Sequence, residues 1–209
     1  MELTDNPEMQ FEFSLKPDED TEFSHCLLHF VGRATQWDDD TAEDIVVGTI
    51  TGHRLDLAIA RAMKIDFQHF LESVSQQLSD LGQRVFNAEG TCLLEANGID
   101  GTSDKECDCL VYVEEIIVHP EHRGENIGTY LMERMSASID MENGLVALKA
   151  YPITGELEST ASPRTEEEIA QVKHFYERLG FTHSIDDFML KDARHCAAQK
   201  KRREVKATD

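Results

Sequence analysis

The stretch from Val111 to Met135 constrains the fold more than any other part of the chain. It begins as an apolar strand, passes through a short turn and continues as an amphipathic helix. This order brings the backbone N–H groups of the turn and the positive end of the helix dipole to one point, where an anion is stabilised. Small residues such as Gly124 and Gly128 let the backbone approach a ligand closely, and Arg123 can add a charge-assisted hydrogen bond. The stretch therefore predicts a pyrophosphate site.

A second stretch, from Phe175 to Phe181, lies about fifty residues further along and reads Phe-Tyr-Glu-Arg-Leu-Gly-Phe. Together with the Arg-Gly-Glu-Asn-Ile-Gly turn, it resembles the GNAT superfamily of acyl-CoA-dependent N-acyltransferases. The turn is similar to that family's coenzyme A pyrophosphate loop, and the second stretch to its late helix and following strand. The resemblance extends roughly from Leu110 to Leu190 and does not cover the N-terminal half of the chain.

The resemblance implies acetyl-CoA as acyl donor, no metal, and a defined set of coenzyme-binding residues. That set comprises Ile116, Val118, Arg123, Gly124, Glu125, Asn126, Ile127, Gly128 and Thr129. Ile116 and Val118 match positions whose backbone groups bind the pantetheine arm as though it were another strand. Asn126 stands where the family most often has glycine. Because Asn tolerates positive φ better than other non-glycine residues, we expect the loop to keep its shape.

The acylation of an amine requires a base, because a lysine-type amine has an ordinary pKa of about 10.4 and only about one molecule in 2,500 is neutral at pH 7. Glu114 and Glu115 lie in the middle of an otherwise apolar strand. Successive strand side chains point to opposite faces, so we expect the two acids to be separated and not to share a role. The resemblance implies that Glu114 is the base, with Glu115 as the alternative. An ion pair with a neighbouring strand, or solvent exposure, is the structural explanation for either acid.

Tyr176 matches the position of the family's usual general acid, which protonates the coenzyme A thiolate as it leaves. The alternative is an amphipathic tyrosine that packs its ring in the core. No Cys or Ser is placed by a motif as a covalent nucleophile. We therefore expect the amine to attack the thioester directly in a ternary complex.

Hydrophobic periodicity predicts about seven strands and several helices, and the resemblance implies an α/β fold in which they form a mixed, mostly antiparallel sheet with helices on both faces. The expected strands are Phe11–Lys16, Phe23–Val31, Ile45–Leu57, Cys109–Val118, Leu145–Tyr151, Phe181–His183 and Asp187–Lys191. The expected helices are Phe67–Phe86, with Asp66 as N-cap, Ile127–Ile139 and Thr165–Leu179. Gly48 and Gly52 indicate a bulge or a hairpin. The resemblance implies that the coenzyme enters where Cys109–Val118 and Leu145–Tyr151 splay apart as adjacent parallel strands.

The length of 209 residues fits a single domain. Within it, we expect residues 1–108 to form the acceptor side, residues 109–191 the acyl-CoA-binding core and residues 192–209 a basic tail. The acceptor should be shaped by the N-terminal half and by the loop from Pro152 to Pro163, and neither carries a motif that names it. A homodimer is left open.

The net charge of −21 argues against direct binding of nucleic acid, which needs a basic surface. The charge either attracts cationic acceptors such as polyamines and lysine-rich segments or serves solubility. The five cysteines are an odd number, as expected for free thiols in a reducing compartment, and no apolar run is long enough to span a bilayer, so we expect a cytoplasmic protein. A zinc site formed by Cys107, Cys109, His119 and His122 is a minor alternative.

Two other classes of function remain open from the sequence. One is a non-catalytic GNAT-like module that binds acyl-CoA or a protein partner. The other is an unrelated acidic interaction protein, which would not bind the coenzyme at all.

Overall fold

The computed structural model describes residues 9–19, 21–87, 90, 107–141, 143–152, 165–183 and 187–193. Its strands are β1 (Met9–Pro17), β2 (Leu27–Asp38), β3 (Glu43–Asp56), β4 (Cys109–Val118), β5 (Gly144–Lys149), β6 (Thr182–His183) and β7 (Phe188–Asp192). They form one seven-stranded sheet in the order β1-β2-β3-β4-β5-β7-β6. The pairing of β4 with β5 is parallel, and the other pairings are antiparallel. The predicted mixed, mostly antiparallel sheet is confirmed.

Helices cover both faces of this sheet. They are α1 (Leu57–Ala62), α2 (Phe67–Val74), α3 (Gln76–Val85), α4 (Ile127–Ser138) and α5 (Glu166–Arg178). Apolar residues of α1, α2 and α3 form one core with Leu55, Leu110 and Tyr112 of the sheet. The opposite core joins α4 to Val111 and Val113, and α5 packs against it. We call these two sides the α1–α3 face and the α4–α5 face.

The central strand β4 has the predicted bounds, and its first half is buried on both faces. The last helix also agrees with the prediction. The side chain of Thr165 accepts a hydrogen bond from the N–H of Glu168, and the carboxylate of Glu168 accepts one from the N–H of Thr165, so the helix begins with a capping box. Gly180 follows the helix with φ +86°, a left-handed conformation that suits a glycine stop.

The N-terminal half departs from the prediction in three places. The expected helix Phe67–Phe86 is two helices, because Ser75 adopts an extended φ of −165° and caps α3 through a bond from the N–H of Leu78. Strand β2 begins at Leu27, since Phe23 to Cys26 form a turn, and it continues to Asp38. Helix α1 was not predicted. The expected N-cap at Asp66 is confirmed by the bond from the N–H of His69 to its carboxylate.

The glycines of β3 mark two bulges, as the sequence indicated, in a strand that also forms a hairpin with β2. Near Gly48 the pairing with β2 shifts register, and near Gly52 the pairing with β4 does the same. At the second bulge Gly52 pairs with Val113 while Thr51 pairs with Glu115, so Glu114 is the extra residue. A Cβ on Gly52 would lie 2.1 Å from the carbonyl oxygen of Tyr112, so only glycine fits this close approach.

Parts of the expected layout fall outside the described residues. These are residues 98–105 and 153–163, which were predicted as loops, and the basic tail beyond Ala193. In the described part of the chain, no helix combines the length and the apolar character needed to cross a bilayer.

Candidate active site

A cleft of about 710 Å³ lies between the second half of β4, the turn that follows it, the start of α4, and α5. Its lining includes Ile116, Val118, Arg123, Gly124, Asn126, Ile127, Gly128 and Thr129. It also includes Tyr151, Gln171, Val172, Phe175 and Tyr176. The cleft thus brings together the predicted coenzyme-binding residues, with Glu125 excepted, and the predicted general acid. Glu125 is exposed and its carboxylate lies 3.3 Å from Nδ1 of His122.

The turn before α4 has the conformation of an anion-binding loop. Gly124 and Asn126 both have positive φ, +89° and +63°, which places successive N–H groups on one side of the chain. The expected positive φ at Asn126 is therefore present. The first hydrogen bond of α4 runs from the N–H of Tyr130 to the carbonyl of Asn126, and Asn126 makes no side-chain cap. The preceding N–H groups of the first turn therefore have no partner within the helix.

Arg123 adds a positive charge at the same end of the cleft. Its guanidinium approaches the carbonyl oxygen of Val118 with Nε at 3.4 Å, and the side chain is largely exposed. Because this contact holds the side chain of Arg123 against the end of β4, its positive charge lies beside the turn. The dipole of α4 and this guanidinium favour the same ligand, an anion of pyrophosphate size.

Strands β4 and β5 separate beside this cleft. Their parallel pairing runs from Cys109 with Gly144 to Val113 with Leu148 and stops there. Strand β4 continues to Val118, paired only with β3 on its other side. Glu114 is the first residue of β4 beyond the paired stretch, and it lies at the point where the two strands part.

Glu114 and Glu115 share one face of the sheet, so the expectation that they point to opposite faces is wrong. Val111 and Val113 belong to the core on the α4–α5 face, and Ile116 and Val118 pack against the same core. The alternation therefore changes phase between Val113 and Ile116, because the bulge inserts one extra residue. Both acids are left on the α1–α3 face, and neither lines the cleft.

The surroundings of Glu114 include a histidine that sequence reasoning missed. Its carboxylate lies 3.7 Å from Nδ1 of His53 on β3, and the glutamate side chain is 35% exposed. His53 itself is buried, and burial lowers its pKa below the ordinary value. No motif connects residue 53 with residue 114. Only the register of β3 against β4, which pairs His53 with Tyr112, brings them together.

Tyr176 combines the two roles considered for it. Its ring packs edge-on against Phe175 at 4.9 Å and against Phe181 at 5.8 Å between centroids, and it contributes to the core of the α4–α5 face. It also lines the cleft. Burial raises the pKa of Tyr176 to about 12, so the hydroxyl stays protonated at neutral pH and is available as a donor.

The alternative zinc site is excluded by the fold. Cys107 and Cys109 are buried at the start of β4, while His119 and His122 follow its other end. At about 3.3 Å per residue, ten strand residues separate the two pairs by roughly 30 Å. They cannot bind one ion.

Residues 80–183 match the family model described as an acetyltransferase (GNAT) domain. No curated protein sequence matches the chain significantly.

Among solved structures, the crystal structure of a KacTA–DNA complex has a TM-score of 0.43 at 9% identity over 92% of this chain and 99% of that chain. AtaTR bound with acetyl-CoA has a TM-score of 0.42 at 8% identity over 92% and 98%. NAA60 of Arabidopsis thaliana in complex with acetyl-CoA has a TM-score of 0.37 at 13% identity over 87% and 96%.

Proposed function

Because residues 80–183 of this chain belong to the GNAT acetyltransferase family, we propose that the protein transfers an acetyl group from acetyl-CoA to a primary amine of a small molecule or a protein. One observation carries the proposal. The anion-binding turn, the parting of β4 from β5 and the hydroxyl-bearing Tyr176 all meet at a single cleft. An acyl-CoA needs these three features in this order, from pyrophosphate to thioester.

In the proposed complex the pyrophosphate binds the N–H groups of the turn and Arg123, with acetyl-CoA as the acyl donor and no metal. The pantetheine arm follows the edge of β4 past Val118 and Ile116. This edge is free because β5 pairs with β4 only as far as Val113. The thioester then lies where the two strands part. There it is within reach of Tyr176 from the α4–α5 face and of Glu114 from the opposite face.

The reaction is a direct transfer. The acceptor enters from the α1–α3 face as an ammonium ion and gives one proton to the carboxylate of Glu114, with Glu115 beside it on the same face. The neutral amine attacks the carbonyl carbon and the carbon–sulfur bond breaks. The nitrogen gives up its second proton as the amide forms, and this proton neutralises the departing coenzyme A thiolate. The hydroxyl of Tyr176 donates a hydrogen bond to the departing thiolate, which would otherwise carry its full charge in a buried site.

The acceptor side is proposed to be residues 1–108, since α1, α2 and α3 lie on the same face as the two glutamates. The net charge of −21 favours a cationic acceptor and disfavours direct binding of nucleic acid. The buried thiol of Cys26 is free, which fits a reducing, cytoplasmic location. A homodimer is compatible with this arrangement.

Two measurements test the function. Calorimetry with acetyl-CoA should give saturable binding, and a coenzyme A release assay over polyamines, amino acids, aminoglycosides and protein N-terminal peptides should show turnover with at least one class. Binding without turnover across the panel would favour a non-catalytic acyl-CoA-binding module. Absence of binding would refute both.

Glu114→Gln is expected to reduce turnover most at neutral pH and less at high pH, where a larger fraction of the acceptor is already neutral. The change keeps the size of the side chain and removes only its basicity, so acetyl-CoA affinity should be unchanged. The measurement is kcat as a function of pH, with Glu115→Gln as the matched control on the same face. If Glu114→Gln retains wild-type turnover and Glu115→Gln does not, the base is Glu115.

A further inference from the structure

His53 lies between two carboxylates on the α1–α3 face. Its Nδ1 atom is 3.7 Å from a carboxylate oxygen of Glu114, and its Nε2 atom is 3.6 Å from a carboxylate oxygen of Asp18. Only 7% of the residue is exposed. Among the described residues, Nδ1 has no hydrogen-bond partner although it is fully buried. An orphaned ring nitrogen aimed at the proposed base calls for an explanation, because buried polar atoms are rarely left unpaired.

Three titratable groups face the imidazole from the elements around it. Asp18 follows β1, Glu114 is on β4, and the ring of His29 on β2 lies 5.1 Å from the ring of His53 between centroids. Asp18 is 20% exposed at its side chain and Glu114 is 35% exposed, so each carboxylate reaches water while the imidazole between them does not. Asp18, His53 and Glu114 therefore form a row, with a water-accessible carboxylate at each end and the proposed base at the end nearer β4.

The ionisation state of His53 suits it to accept a proton. Burial is the largest influence and lowers its pKa, with His29 acting in the same direction, while Glu114 and Asp18 oppose the shift. A lowered pKa leaves the imidazole neutral at pH 7. With its proton on Nε2, directed at Asp18, the ring presents the lone pair of Nδ1 to Glu114.

We propose that His53 is the second proton acceptor of the reaction: it takes from Glu114 the proton that Glu114 removes from the amine, while Asp18 holds the imidazole in the required tautomer. The inference rests on the proposed acetyl transfer. His53 acts through Glu114 and does not touch the substrate, so it is a positioning and proton-holding residue. A contraction of about half an ångström at each contact would bring both to hydrogen-bond length.

Two protons leave the ammonium nitrogen as it becomes an amide nitrogen, and both have a destination. The first passes from the ammonium group to the carboxylate of Glu114 and from there to Nδ1 of His53, and the second neutralises the departing thiolate of coenzyme A. The resulting imidazolium, with N–H groups at both nitrogens, lies between the ionised carboxylates of Asp18 and Glu114. When the amide product has left, the same proton returns from Nδ1 through Glu114 to water. The imidazole recovers its original tautomer, and no ring flip is required.

A second proton acceptor increases turnover because an imidazole is more basic than a carboxylate. A glutamate has an ordinary pKa of about 4.3 and a histidine of about 6.5, so an imidazole holds the proton of an ammonium ion about a hundredfold better than a carboxylate alone. Burial reduces this advantage, and the two flanking carboxylates restore part of it once the ring is charged. We therefore expect loss of His53 to cost between about tenfold and a hundredfold in turnover.

The test compares His53→Gln and His53→Ala with the wild-type protein, and uses His29→Gln as the matched control. For the wild type, kcat/KM should fall as the pH drops through the lowered pKa of His53, since a protonated ring cannot accept a proton. His53→Gln should lose activity and should also lose this decline of kcat/KM at low pH, the acid limb of the pH profile. His29→Gln should keep the acid limb. Free imidazole should restore turnover to His53→Ala. Variants that lose activity but keep the acid limb and do not respond to imidazole would show a purely structural role and overturn the proposal.

A second measurement does not depend on turnover. Nitrogen chemical shifts of the His53 ring should report a neutral imidazole with the proton on Nε2 at pH 7, and its titration should move when Glu114 is changed to Gln. A ring that carries its proton on Nδ1, or is already charged at pH 7, refutes the proposed proton relay from Glu114 to His53, even if no acceptor is found. If the wild type shows turnover and the ring state is wrong, the relay fails and the proposed function stands. If the ring state is right but the full amine panel gives no turnover, the proposed function fails, and the relay fails with it.

A metal ion is the competing explanation, because His29, His53 and Glu114 place their ligand atoms within 4.8 Å of one another. Activity should be unaffected by EDTA if the imidazole carries the proton. Loss of activity with EDTA and recovery with Zn²⁺ would overturn the relay, since a bound ion would occupy the Nδ1 lone pair that must receive the proton.

Discussion

Replacing Gly128 with glutamate is expected to abolish acetyl-CoA binding while the protein stays folded. Gly128 lies in the first turn of α4 and lines the cleft, and a Cβ there would approach Cζ of Phe175 to 3.1 Å. That contact is tight, but it involves the outer edge of one ring. The new carboxylate would lie among N–H groups that are proposed to bind a pyrophosphate. Two unit charges 4 Å apart repel by about 4 kcal/mol at an effective dielectric constant of 20, which corresponds to about a thousandfold in affinity.

Two control variants separate the causes of this loss. Gly128→Gln has nearly the same shape without the charge, and Gly128→Ala adds only the Cβ. Affinity by calorimetry should fall in the order Gly, Ala, Gln, Glu, with the largest step between Gln and Glu. Melting temperatures should show that all four proteins are folded. Unchanged affinity of Gly128→Glu would mean that the pyrophosphate binds elsewhere.

The coenzyme loop was predictable from the sequence because its geometry is local. The order of strand, turn and helix, a glycine at the left-handed position and an Asn that tolerates positive φ are all encoded within about fifteen residues. The conformations of Gly124 and Asn126 follow from these identities. The start and stop of α5 were predictable for the same reason, since a capping box and a terminal glycine each act within one helical turn.

The acid–histidine part of the site was not predictable, because it depends on the register between strands. Alternation along β4 predicted that Glu114 and Glu115 diverge, and the bulge opposite Gly52 places them on one face. A glycine in a strand indicates a bulge, but it does not predict which residue of the partner strand is the extra one. His53 meets Glu114 across the same register shift, and Asp18 reaches His53 from the end of β1. Such contacts form between residues that are distant in sequence and carry no shared motif.

Tyr176→Phe is expected to lower kcat substantially with little change in acetyl-CoA affinity or stability. The change removes one hydroxyl and leaves the ring contacts with Phe175 and Phe181 in place. The size of the loss follows from the pKa of Tyr176, which burial raises to about 12. A thiol similar to that of cysteine has a pKa of about 8.5, so the hydroxyl of Tyr176 is a much weaker acid than the leaving thiol, and complete proton transfer from it is uphill. The hydroxyl therefore contributes as a hydrogen-bond donor to the charge that develops on sulfur.

A hydrogen bond to a charged group is worth about 1.5–3 kcal/mol, which predicts a loss of between about tenfold and about 150-fold, at or just below the range for positioned acid catalysis. The loss should fall on kcat, because the sulfur carries its charge only as the bond breaks. A pKa of about 12 also keeps the hydroxyl protonated on the alkaline side, so the wild-type kcat should show no decline from Tyr176 between about pH 8 and pH 10. The measurement is kcat at saturating acetyl-CoA with the acceptor found in the panel. A Tyr176→Phe protein with full kcat would show that water or another group meets the leaving thiolate, and that the raised pKa of Tyr176 reflects packing alone.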